Sequence, residues 1–376
     1  MHVPFCARKC SYCAFYSHPA PAALIDRYVR ALTREMEGIA LDLQPHTVFF
    51  GGGTPSLLSA AQFETLFGTT DRLGWGEVAE WTVEANPATF SREKAKRLRA
   101  RGVNRISLGA QALDDAVLAQ LGRVHNRHDV FRAVDELRAA GFTNPNMDLM
   151  FGLPGQSLAT WEKTLREALA LGSEHLSAYE LTYEEDTAFF ARFPAGRNAA
   201  DEDLACDMYA LLVDLAGEHG LQQYEVSNFA RQRQAASGDV PDLACQHNVN
   251  YWRAGSFQGL GPSATSYTGG VRRRNWADTE RYCALLEQGA SATECQEQLP
   301  PLGRAGETAA FGLRMNVGWR FDEFQAVTGF DLRDEWAEDM AGLEHEGLGL
   351  RTSERFRLTD RGLRFADLAA ERFLRP

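Results

Sequence analysis

The sequence predicts an α/β fold in which helices cover a mostly parallel sheet, and three observations lead to this class. Six short β-type runs alternate with amphipathic helical runs up to about residue 220. Such strand-then-helix units in series require helical crossovers between parallel strands. Helix ends carry the expected signals, with Ser91 before one helix and Gly102 and Gly141 after others. An open doubly wound sheet and a partial (β/α) barrel both fit, and both place ligands at the carboxyl ends of the strands.

The change of hydrophobic periodicity along the chain predicts where each element lies. The predicted strands are His2-Val3, Thr47 to Phe50, Trp81 to Ala85, Arg105 to Leu108, Asn146 to Met150 and Leu176 to Leu181. The predicted helices are Ile25 to Leu43, Ala60 to Leu66, Ser91 to Arg101, Val130 to Ala140, Leu158 to Leu171 and Leu204 to His219.

The organisation changes after the last of these helices. We expect a barrel-like part over residues 1–220 and an extension over 221–295, in which Arg231 to Asp242 forms a polar surface loop. Residues 296–376 are expected to form a helical, winged-helix-like part. There a strand and a turn precede a final helix entered through Thr359.

The composition restricts the class of protein. Of 376 residues, 44% are hydrophobic and 24% are charged, as in ordinary globular proteins. The net charge of −12 argues against a nucleic-acid partner, and Arg272, Arg273 and Arg274 are expected to lie in a solvated turn or to clamp an anion. Because neither a long apolar run nor a secretory leader pattern is visible, we expect a cytoplasmic protein with no membrane segment of its own.

The first chemically suggestive motif is a group of three cysteines after the first strand. Cys6, Cys10 and Cys13 have the spacing C-x3-C-x2-C, whereas the other four cysteines are scattered. Thiolates select iron–sulfur clusters or zinc, and both kinds of site usually take four protein ligands. Three cysteines without a fourth nearby therefore suggest an iron that stays open to a non-protein ligand, with a structural zinc site as the alternative.

Glycines and polar residues follow the later strands. Gly51-Gly52-Gly53-Thr54-Pro55 comes directly after the second strand, where glycines let a ligand approach the backbone closely. A carboxylate at a strand end can accept ribose hydroxyls, and an arginine can bind a carboxylate through two hydrogen bonds. Each such residue alone has an equally good structural explanation. The residues of this kind are Glu84, Gln111, Arg123 and Asp148.

A further motif lies in the extension. The segment Cys245-Gln246-His247-Asn248-Val249-Asn250-Tyr251-Trp252 brings two metal-binding side chains and two aromatic rings together. Such a set can wall a pocket and supply an axial ligand, since both His and Cys ligate haem iron. The alternative is a packed strand edge in which His247 is an ordinary core histidine.

The cysteine motif resembles that of radical-SAM proteins, in which an aromatic residue, here Tyr12, precedes the last cysteine. The resemblance implies an incomplete (β/α)6 barrel and a [4Fe–4S] cluster on Cys6, Cys10 and Cys13, whose open iron binds S-adenosylmethionine (SAM). In that family electron transfer from the cluster cleaves SAM to a 5′-deoxyadenosyl radical, so a reductant is an implied partner. The residues that match SAM contacts are Tyr12, Gly52, Gly53, Thr54, Glu84, Gln111, Arg123, Asp148 and Thr182.

Residues 247–252 read HNxxYW and resemble the HemW-like branch of this superfamily, haem chaperones related to the oxygen-independent coproporphyrinogen III oxidases. The resemblance runs from His2 through the C-terminal part. It implies that the chain binds haem and transfers it to an acceptor protein, either soluble or membrane-associated. The implied haem contacts are His247 first, then Cys245, Tyr251 and Trp252.

One position separates this branch from the oxidases, which carry a further cysteine two residues after the third, where this chain has Phe15. The favoured interpretation is therefore a haem chaperone. The alternative is a radical-SAM enzyme with an organic substrate, of the methyltransferase or cyclopropanase type or like the coproporphyrinogen III oxidases. Two features depart from the family pattern. The family usually has a tyrosine that contacts SAM from the first strand, four residues before the equivalent of Pro4, and this position would precede Met1. Either the true start lies upstream, which we favour, or this contact and part of the first strand are lost. In addition, Thr265 replaces a common histidine.

Overall fold

The structure is a computed structural model that describes residues 1–39, 43–193, 202–234 and 238–375. The end of the first predicted helix and the middle of the loop predicted from Arg231 to Asp242 lie outside these residues. The chain divides into two compact units. Unit 1 comprises Met1–Leu215, Gln258–Ser266 and Arg273–Gln296, and unit 2 comprises Ala216–Phe257, Tyr267–Arg272 and Glu297–Pro376.

Strands and helices alternate through the first half of the described chain. The strands are β1 (His2–Val3), β2 (Thr47–Gly52), β3 (Glu80–Ala85), β4 (Arg105–Gln111), β5 (Pro145–Phe151), β6 (His175–Glu180), β7 (Leu221–Glu225), β8 (Asn228–Arg231), β9 (Thr265–Thr268), β10 (Val271–Asn275), β11 (Thr293–Gln298), β12 (Trp319–Arg320), β13 (Gly349–Arg351) and β14 (Arg355–Leu358). The helices are α1 (Ala22–Ile39), α2 (Ala60–Arg72), α3 (Arg92–Ala100), α4 (Asp115–Gln120), α5 (Arg127–Ala139), α6 (Leu158–Ala170), α7 (Ala188–Arg192), α8 (Glu202–Glu218), α9 (Gln246–Trp252), α10 (Thr279–Glu287), α11 (Pro301–Gly312), α12 (Phe321–Thr328), α13 (Leu332–Glu335), α14 (Ala337–His345), α15 (Asp360–Arg364) and α16 (Ala366–Glu371).

The sheet of unit 1 confirms the predicted parallel arrangement. Strands β1 to β6 lie side by side in chain order, and each neighbouring pair is parallel. Apolar residues such as Val83, Ile106 and Leu149 are fully buried, as expected for strands that helices cover. Because parallel strands in chain order end at the same edge, the residues that follow β2, β3 and β4 come together there. This edge carries the predicted site.

The helices of unit 1 begin and end where the sequence signals predict. The Ser91 side chain caps α3 by accepting a hydrogen bond from Lys94 N at 3.3 Å. Gly102 and Gly141 follow α3 and α5 with φ of +94° and +85°, a left-handed conformation that glycine adopts without strain. On α1 the residues Tyr28 and Leu32 are fully buried. Each such side chain contributes roughly 1.5–3 kcal/mol to holding the helix against the sheet.

Unit 2 combines helices with two small antiparallel arrangements. Strands β7 and β8 form a hairpin, and β12, β14 and β13 form a three-stranded antiparallel sheet. Its core contains two fully buried tryptophans, Trp319 and Trp336, whose ring nitrogens donate to Thr308 O at 3.1 Å and Phe373 O at 2.9 Å. The hydroxyl of Thr359 accepts from Gly362 N at 2.9 Å at the start of α15, as predicted.

The expectation that three adjacent arginines lie in a turn was wrong. Arg272, Arg273 and Arg274 belong to strand β10. Two of them are neutralised by glutamates: Arg272 pairs with Glu307 at 2.7 Å, and Arg274 pairs with Glu294 at 2.9 Å. These pairs offset the repulsion between the adjacent guanidinium groups. Among the described residues, none of the helices has the length and apolar character needed to cross a bilayer.

Candidate functional site

A cavity of about 420 Å³ opens in unit 1 at the edge of the sheet where the parallel strands end. It contains almost all of the residues that the sequence analysis selected for the cluster and SAM. The selected residues in its wall are Cys6, Cys10, Tyr12, Cys13, Gly52, Gly53, Thr54, Glu84, Gln111, Arg123 and Asp148. Thr182 is not in the wall and lies exposed on the segment after β6.

Polar groups approach the cysteine thiols. The Arg123 Nη1 donates to Cys10 Sγ at 3.4 Å, and Cys6 Sγ lies 3.4 Å from Thr54 Oγ1. A neighbouring guanidinium favours the thiolate over the thiol. Burial raises the pKa of the Cys13 thiol. No three His, Cys, Asp or Glu side chains within the described ranges converge on a single ion. Each thiolate of an iron–sulfur cluster binds its own iron, so a cluster does not need such convergence.

Position 53, just after β2, must be glycine because the backbone of the cysteine loop passes close to it. A Cβ on Gly53 would lie 2.7 Å from Phe5 O and 2.8 Å from Val3 O. Instead, Gly53 N donates to Val3 O at 2.8 Å, and Thr54 N donates to Phe5 O at 2.8 Å. These bonds fasten the turn to the chain just before Cys6, so the glycines position the cysteine loop as well as leaving room in the cavity.

Two carboxyl groups lie in the cavity wall with their charged forms disfavoured. Burial, and secondly the nearby Asp148, raise the pKa of Glu84 to about 7, although its Oε2 accepts a hydrogen bond from Gly52 N at 3.0 Å. Burial also raises the pKa of Asp148. Asp148 accepts from the Ser107 hydroxyl at 2.9 Å and from Asn146 Nδ2 at 2.8 Å. Both carboxyls therefore keep their protons to a higher pH than they would in water.

The end of β4 carries backbone strain. Gln111 has a φ of +68°, which side-chain-bearing residues rarely adopt, and the register with β5 shifts between Gly109 and Gln111. Such bulges re-aim a side chain and often mark functional sites. Arg123 Nη2 donates to Gly109 O at 2.7 Å, while its buried Nε has no partner in the part of the chain that the structure describes. Thiols, a guanidinium with an unused N–H and two carboxyls fit a cluster with a zwitterionic, ribose-bearing ligand.

The sequence analysis missed several residues of this cavity. Ser107 was overlooked, although β4 lies beside β5 and Ser107 therefore lies close to Asp148. The mouth carries three exposed hydrophobic residues, Phe15 (69% exposed), Val124 and Tyr179. No local motif distinguishes Val124 and Tyr179, so only the fold could reveal them.

A second cavity, of about 320 Å³, lies in unit 2 and contains Tyr251 and Trp252 of α9. Its other aromatic walls are Phe257, Tyr267 and Phe311. The rings of Tyr251 and Phe257 meet edge to face with centroids 4.6 Å apart, and Trp252 lies 6.2 Å from Phe311. These geometries are typical of aromatic pairs that pack favourably. The sequence analysis found two of the five rings, because the other three lie outside the HNxxYW segment.

His247 and Cys245 do not line this cavity. The segment is helix α9 rather than the strand edge considered as an alternative. His247 Nε2 lies 2.7 Å from the hydroxyl of Tyr251, one helical turn on, so it stands behind a wall residue. Cys245 is fully buried at the start of the helix, where its backbone N donates to the Tyr224 hydroxyl at 3.2 Å.

One charged pair borders the aromatic cavity. Arg272 and Glu307 both belong to its wall and are joined by a hydrogen bond of 2.7 Å between Nη2 and Oε2. Arg272 also pairs with Glu297 at 3.2 Å. The cavity is therefore apolar over most of its surface, and the Arg272 guanidinium at its border is already paired with two glutamates.

The fold and the cysteine cavity define a radical-SAM protein. A sequence model of the Radical SAM superfamily matches residues 1–168. The structure is similar to that of the coproporphyrinogen III oxidase HemN from Escherichia coli, described as a radical SAM enzyme, with a TM-score of 0.84 at 21% identity over 99% of this chain and 88% of that chain. This likeness confirms the predicted fold class, an α/β fold with a mostly parallel sheet. Superfamily membership implies a [4Fe–4S] cluster and SAM.

Within the superfamily, the chain belongs to the family of the heme chaperone HemW. It is 34% identical to the Bacillus subtilis protein of that name, covering 96% of this chain and 95% of the relative. It is 39% identical to the Escherichia coli protein of that name, covering 70% and 68% of the two chains. The resemblance inferred from the motifs is thereby confirmed.

Proposed function

We propose that this chain is a haem chaperone that holds a [4Fe–4S] cluster and SAM in the cavity of unit 1, binds haem in the aromatic cavity of unit 2 and transfers it to an acceptor protein. Membership of the HemW family supports the class of function. The observation that carries the haem site is the set of five aromatic rings around a cavity built on the HNxxYW segment. We place this activity in the cytoplasm, with a reductant for the cluster as a second partner.

The aromatic cavity has the properties that a flat, mostly apolar ring system requires. Its volume of about 320 Å³ is at the lower end of the roughly 300–1,000 Å³ of small-molecule sites. Aromatic walls such as Tyr251, Trp252 and Phe311 favour stacked or edge contacts with a planar ligand. A carboxylate side group of haem would have to take the place of Glu297 or Glu307 to pair with the Arg272 guanidinium at the border.

We assign the iron contact to His247. Its Nε2 is already directed at the cavity residue Tyr251 through the 2.7 Å hydrogen bond. Histidine and tyrosine side chains are both known ligands of haem iron. Cys245 ranks second because it is fully buried and would reach the cavity only if the start of α9 rearranged.

We also propose distinct tasks for the residues of the cysteine cavity. Cys6, Cys10 and Cys13 would hold the cluster, with Arg123 donating a hydrogen bond to Cys10 Sγ. When bound at the open iron, SAM would supply the family's radical chemistry. Glu84 and Asp148 are suited to accept ribose hydroxyls. The remaining proposed SAM contacts are Tyr12, Gly52, Gly53, Thr54, Gln111 and, from outside the cavity wall, Thr182.

A haemin titration of the anaerobically reconstituted protein, followed by absorbance, tests the haem assignment. We expect saturation at about one haem per chain, and a His247→Ala variant with a changed Soret band and an affinity about tenfold lower. A His128→Ala variant is the matched control, because His128 is an exposed residue of α5 in unit 1. Binding that never saturates, or saturation unchanged by His247→Ala, would contradict the assignment.

One observation favours the alternative of a radical-SAM enzyme. The mouth of the unit 1 cavity is bordered by exposed Phe15, Val124 and Tyr179, an apolar rim suited to an organic substrate. Sustained formation of 5′-deoxyadenosine from SAM in the presence of one class of organic compound, and not in its absence, would establish this activity. Stoichiometric haem binding without such turnover would support the chaperone.

A further inference from the structure

The cysteine loop of unit 1 is closed at its base by two backbone hydrogen bonds. His18 N donates to Pro4 O at 2.9 Å, and Cys6 N donates to His18 O at 3.2 Å. The ring of His18 also meets that of Phe5 edge to face, with centroids 5.6 Å apart. All three cysteines lie between these two ends. The distances between the three cysteines therefore depend on the residues that keep His18 in position.

A residue more than two hundred and fifty positions further along the chain holds this base: Thr279, the first residue of α10. Its hydroxyl lies 2.8 Å from His18 Nε2 and 3.1 Å from the Tyr16 hydroxyl. Its backbone N donates to the Tyr16 hydroxyl at 2.8 Å. Thr279 is only 2% exposed, so protein groups rather than bulk water must satisfy its polar atoms.

The hydrogen bonds of this cluster form a consistent chain of donors and acceptors. In the tautomer that donates from His18 Nδ1 to Pro19 O, 3.0 Å away, the ring accepts at Nε2. The Thr279 hydroxyl then donates to His18 Nε2 and accepts from the Tyr16 hydroxyl. The oxygen of Tyr16 in turn accepts from Thr279 N. Both hydroxyl groups thus donate and accept, and neither can be removed without leaving a neighbour unsatisfied.

Helix α10 is itself a firm support. Tyr282 is fully buried, and its hydroxyl donates to Glu35 Oε2 of α1 at 2.6 Å. Glu35 also accepts from Asn275 Nδ2 at 2.7 Å and from Gly261 N at 2.8 Å. At the other end of α10, Glu287 pairs with Arg27 at 2.6 Å. The cysteine loop is therefore fastened through Thr279 to a buried network rather than to a mobile surface helix.

We propose that Thr279 is a positioning residue for the [4Fe–4S] cluster. With Tyr16 and His18 it keeps the base of the cysteine loop closed, and so holds Cys6, Cys10 and Cys13 at the separation that the cluster requires. Thr279 is not a residue of the cavity wall, and it lies outside residues 1–168 that match the superfamily. The inference rests on the proposed ligation of a cluster by the three cysteines.

The test is the rate at which the anaerobically reconstituted full-length protein loses its cluster to an iron chelator, followed by visible absorbance and iron content. Thr279→Val keeps the side-chain shape but removes the hydroxyl, and we expect loss about five- to tenfold faster than in the unaltered protein. Thr279→Ser keeps the hydroxyl and is expected to restore the original rate. Tyr16→Phe should accelerate cluster loss as well. The double variant Thr279→Val/Tyr16→Phe should lose the cluster no faster than the product of the two single-variant rate increases, because both hydroxyls belong to one network.

Thr70→Val is the matched control. It removes an equally buried hydroxyl, bonded to Phe67 O at 2.8 Å in α2, with no contact to the cysteine loop. Equal rates of loss in Thr279→Val and Thr70→Val would overturn the positioning role alone. If the unaltered protein retains no iron after reconstitution, both the cluster and the positioning role are wrong. Haemin binding by Thr279→Val is expected to be unchanged, so failure of the haem site would be seen separately.

Discussion

The two cavities, one in each unit, have walls of opposite character. The unit 1 cavity brings thiols, carboxyls and a guanidinium to the ends of parallel strands. The unit 2 cavity brings together aromatic rings, with a single ion pair at its border. The first suits an inorganic cluster with a polar zwitterion, and the second suits a flat apolar ring. The difference supports the proposal that the two ligands would bind in separate structural units, SAM with the cluster in unit 1 and haem in unit 2.

The two cavity walls also differ in how much they destabilise the folded protein. The polar cavity holds Glu84 in a place where burial disfavours its charge, and it holds Gln111 at a φ of +68°. Both features destabilise the folded protein and are typical of functional sites. The aromatic cavity needs no such strain, because rings such as Tyr251 and Phe257 pack favourably with one another.

The largest expected effect is on iron content, when a proposed cluster ligand in the unit 1 cavity is removed. In Cys10→Ala we expect the iron content after anaerobic reconstitution to fall to about a tenth or less of that of the unaltered protein, because one of three protein thiolates is lost. Cys295→Ala is the control, since Cys295 is exposed on β11. Full iron content in Cys10→Ala would show that the cavity of unit 1 does not hold the cluster.

The second effect is the pH dependence of stability that the buried Glu84 carboxyl of the unit 1 cavity produces. The pKa of Glu84 is raised to about 7 by burial and by Asp148, so the folded state holds its proton more tightly than the unfolded state does. The stabilisation that comes from this proton is present below about pH 4.5 and is lost as the pH rises through 7. Relative to Glu84→Gln, the unaltered protein should therefore lose about 2 kcal/mol of unfolding free energy between pH 5 and pH 8.

Denaturant unfolding at several pH values measures this difference. His128→Ala serves as a control for pH effects that do not involve the cavity, because its side chain is exposed. A constant difference between Glu84→Gln and the unaltered protein over this range would show that Glu84 is ionised at both ends of it.

The third effect tests the aromatic character of the unit 2 cavity. Phe311 lies in its wall although its side chain is 43% exposed. In Phe311→Ala we expect the haemin dissociation constant to rise about tenfold, because a phenyl ring in contact with the ligand contributes roughly 1–2 kcal/mol. Phe365→Ala is the matched control, at 37% exposure in the same unit and outside the cavity wall. Equal affinities in the two variants would place the haem elsewhere.

The smallest effect concerns strain in the polar cavity. Gln111→Gly and Gln111→Ala remove the same polar head group, but only glycine adopts a positive φ without cost. The glycine variant should be more stable than the alanine variant by about 1 kcal/mol in denaturant unfolding. Both should weaken SAM binding to a similar degree. Equal stabilities would show that the left-handed conformation at position 111 stores no strain.

Much of the fold was predictable because its signals are local. Strand-like runs such as Arg105 to Leu108 and caps such as Ser91 depend on neighbouring residues, and the structure has them at the expected positions. The arginines of β10 were misplaced, because their strand is stabilised by glutamates on other elements, such as Glu294 of β11 and Glu307 of α11. From the sequence alone these glutamates could not be assigned as partners, so the run of three arginines was interpreted as a solvated turn.

The candidate sites show the same division. The cysteine loop and the turn at Gly52 and Gly53 lie in short contiguous motifs, so the sequence predicts most of the unit 1 wall. Three of the five rings in unit 2 come from separate segments, and their meeting depends on tertiary packing. Thr279 has no motif at all, and its role follows only from its hydrogen bonds to Tyr16 and His18.

The most direct measurement is a haemin titration of Cys10→Ala beside the unaltered, anaerobically reconstituted protein. If the two cavities hold different ligands, the variant will bind about one haem per chain with a midpoint within about twofold of the unaltered protein, although it lacks the cluster. Loss of saturable haem binding in Cys10→Ala would contradict this separation, because it would show that the haem site requires the cysteine cavity.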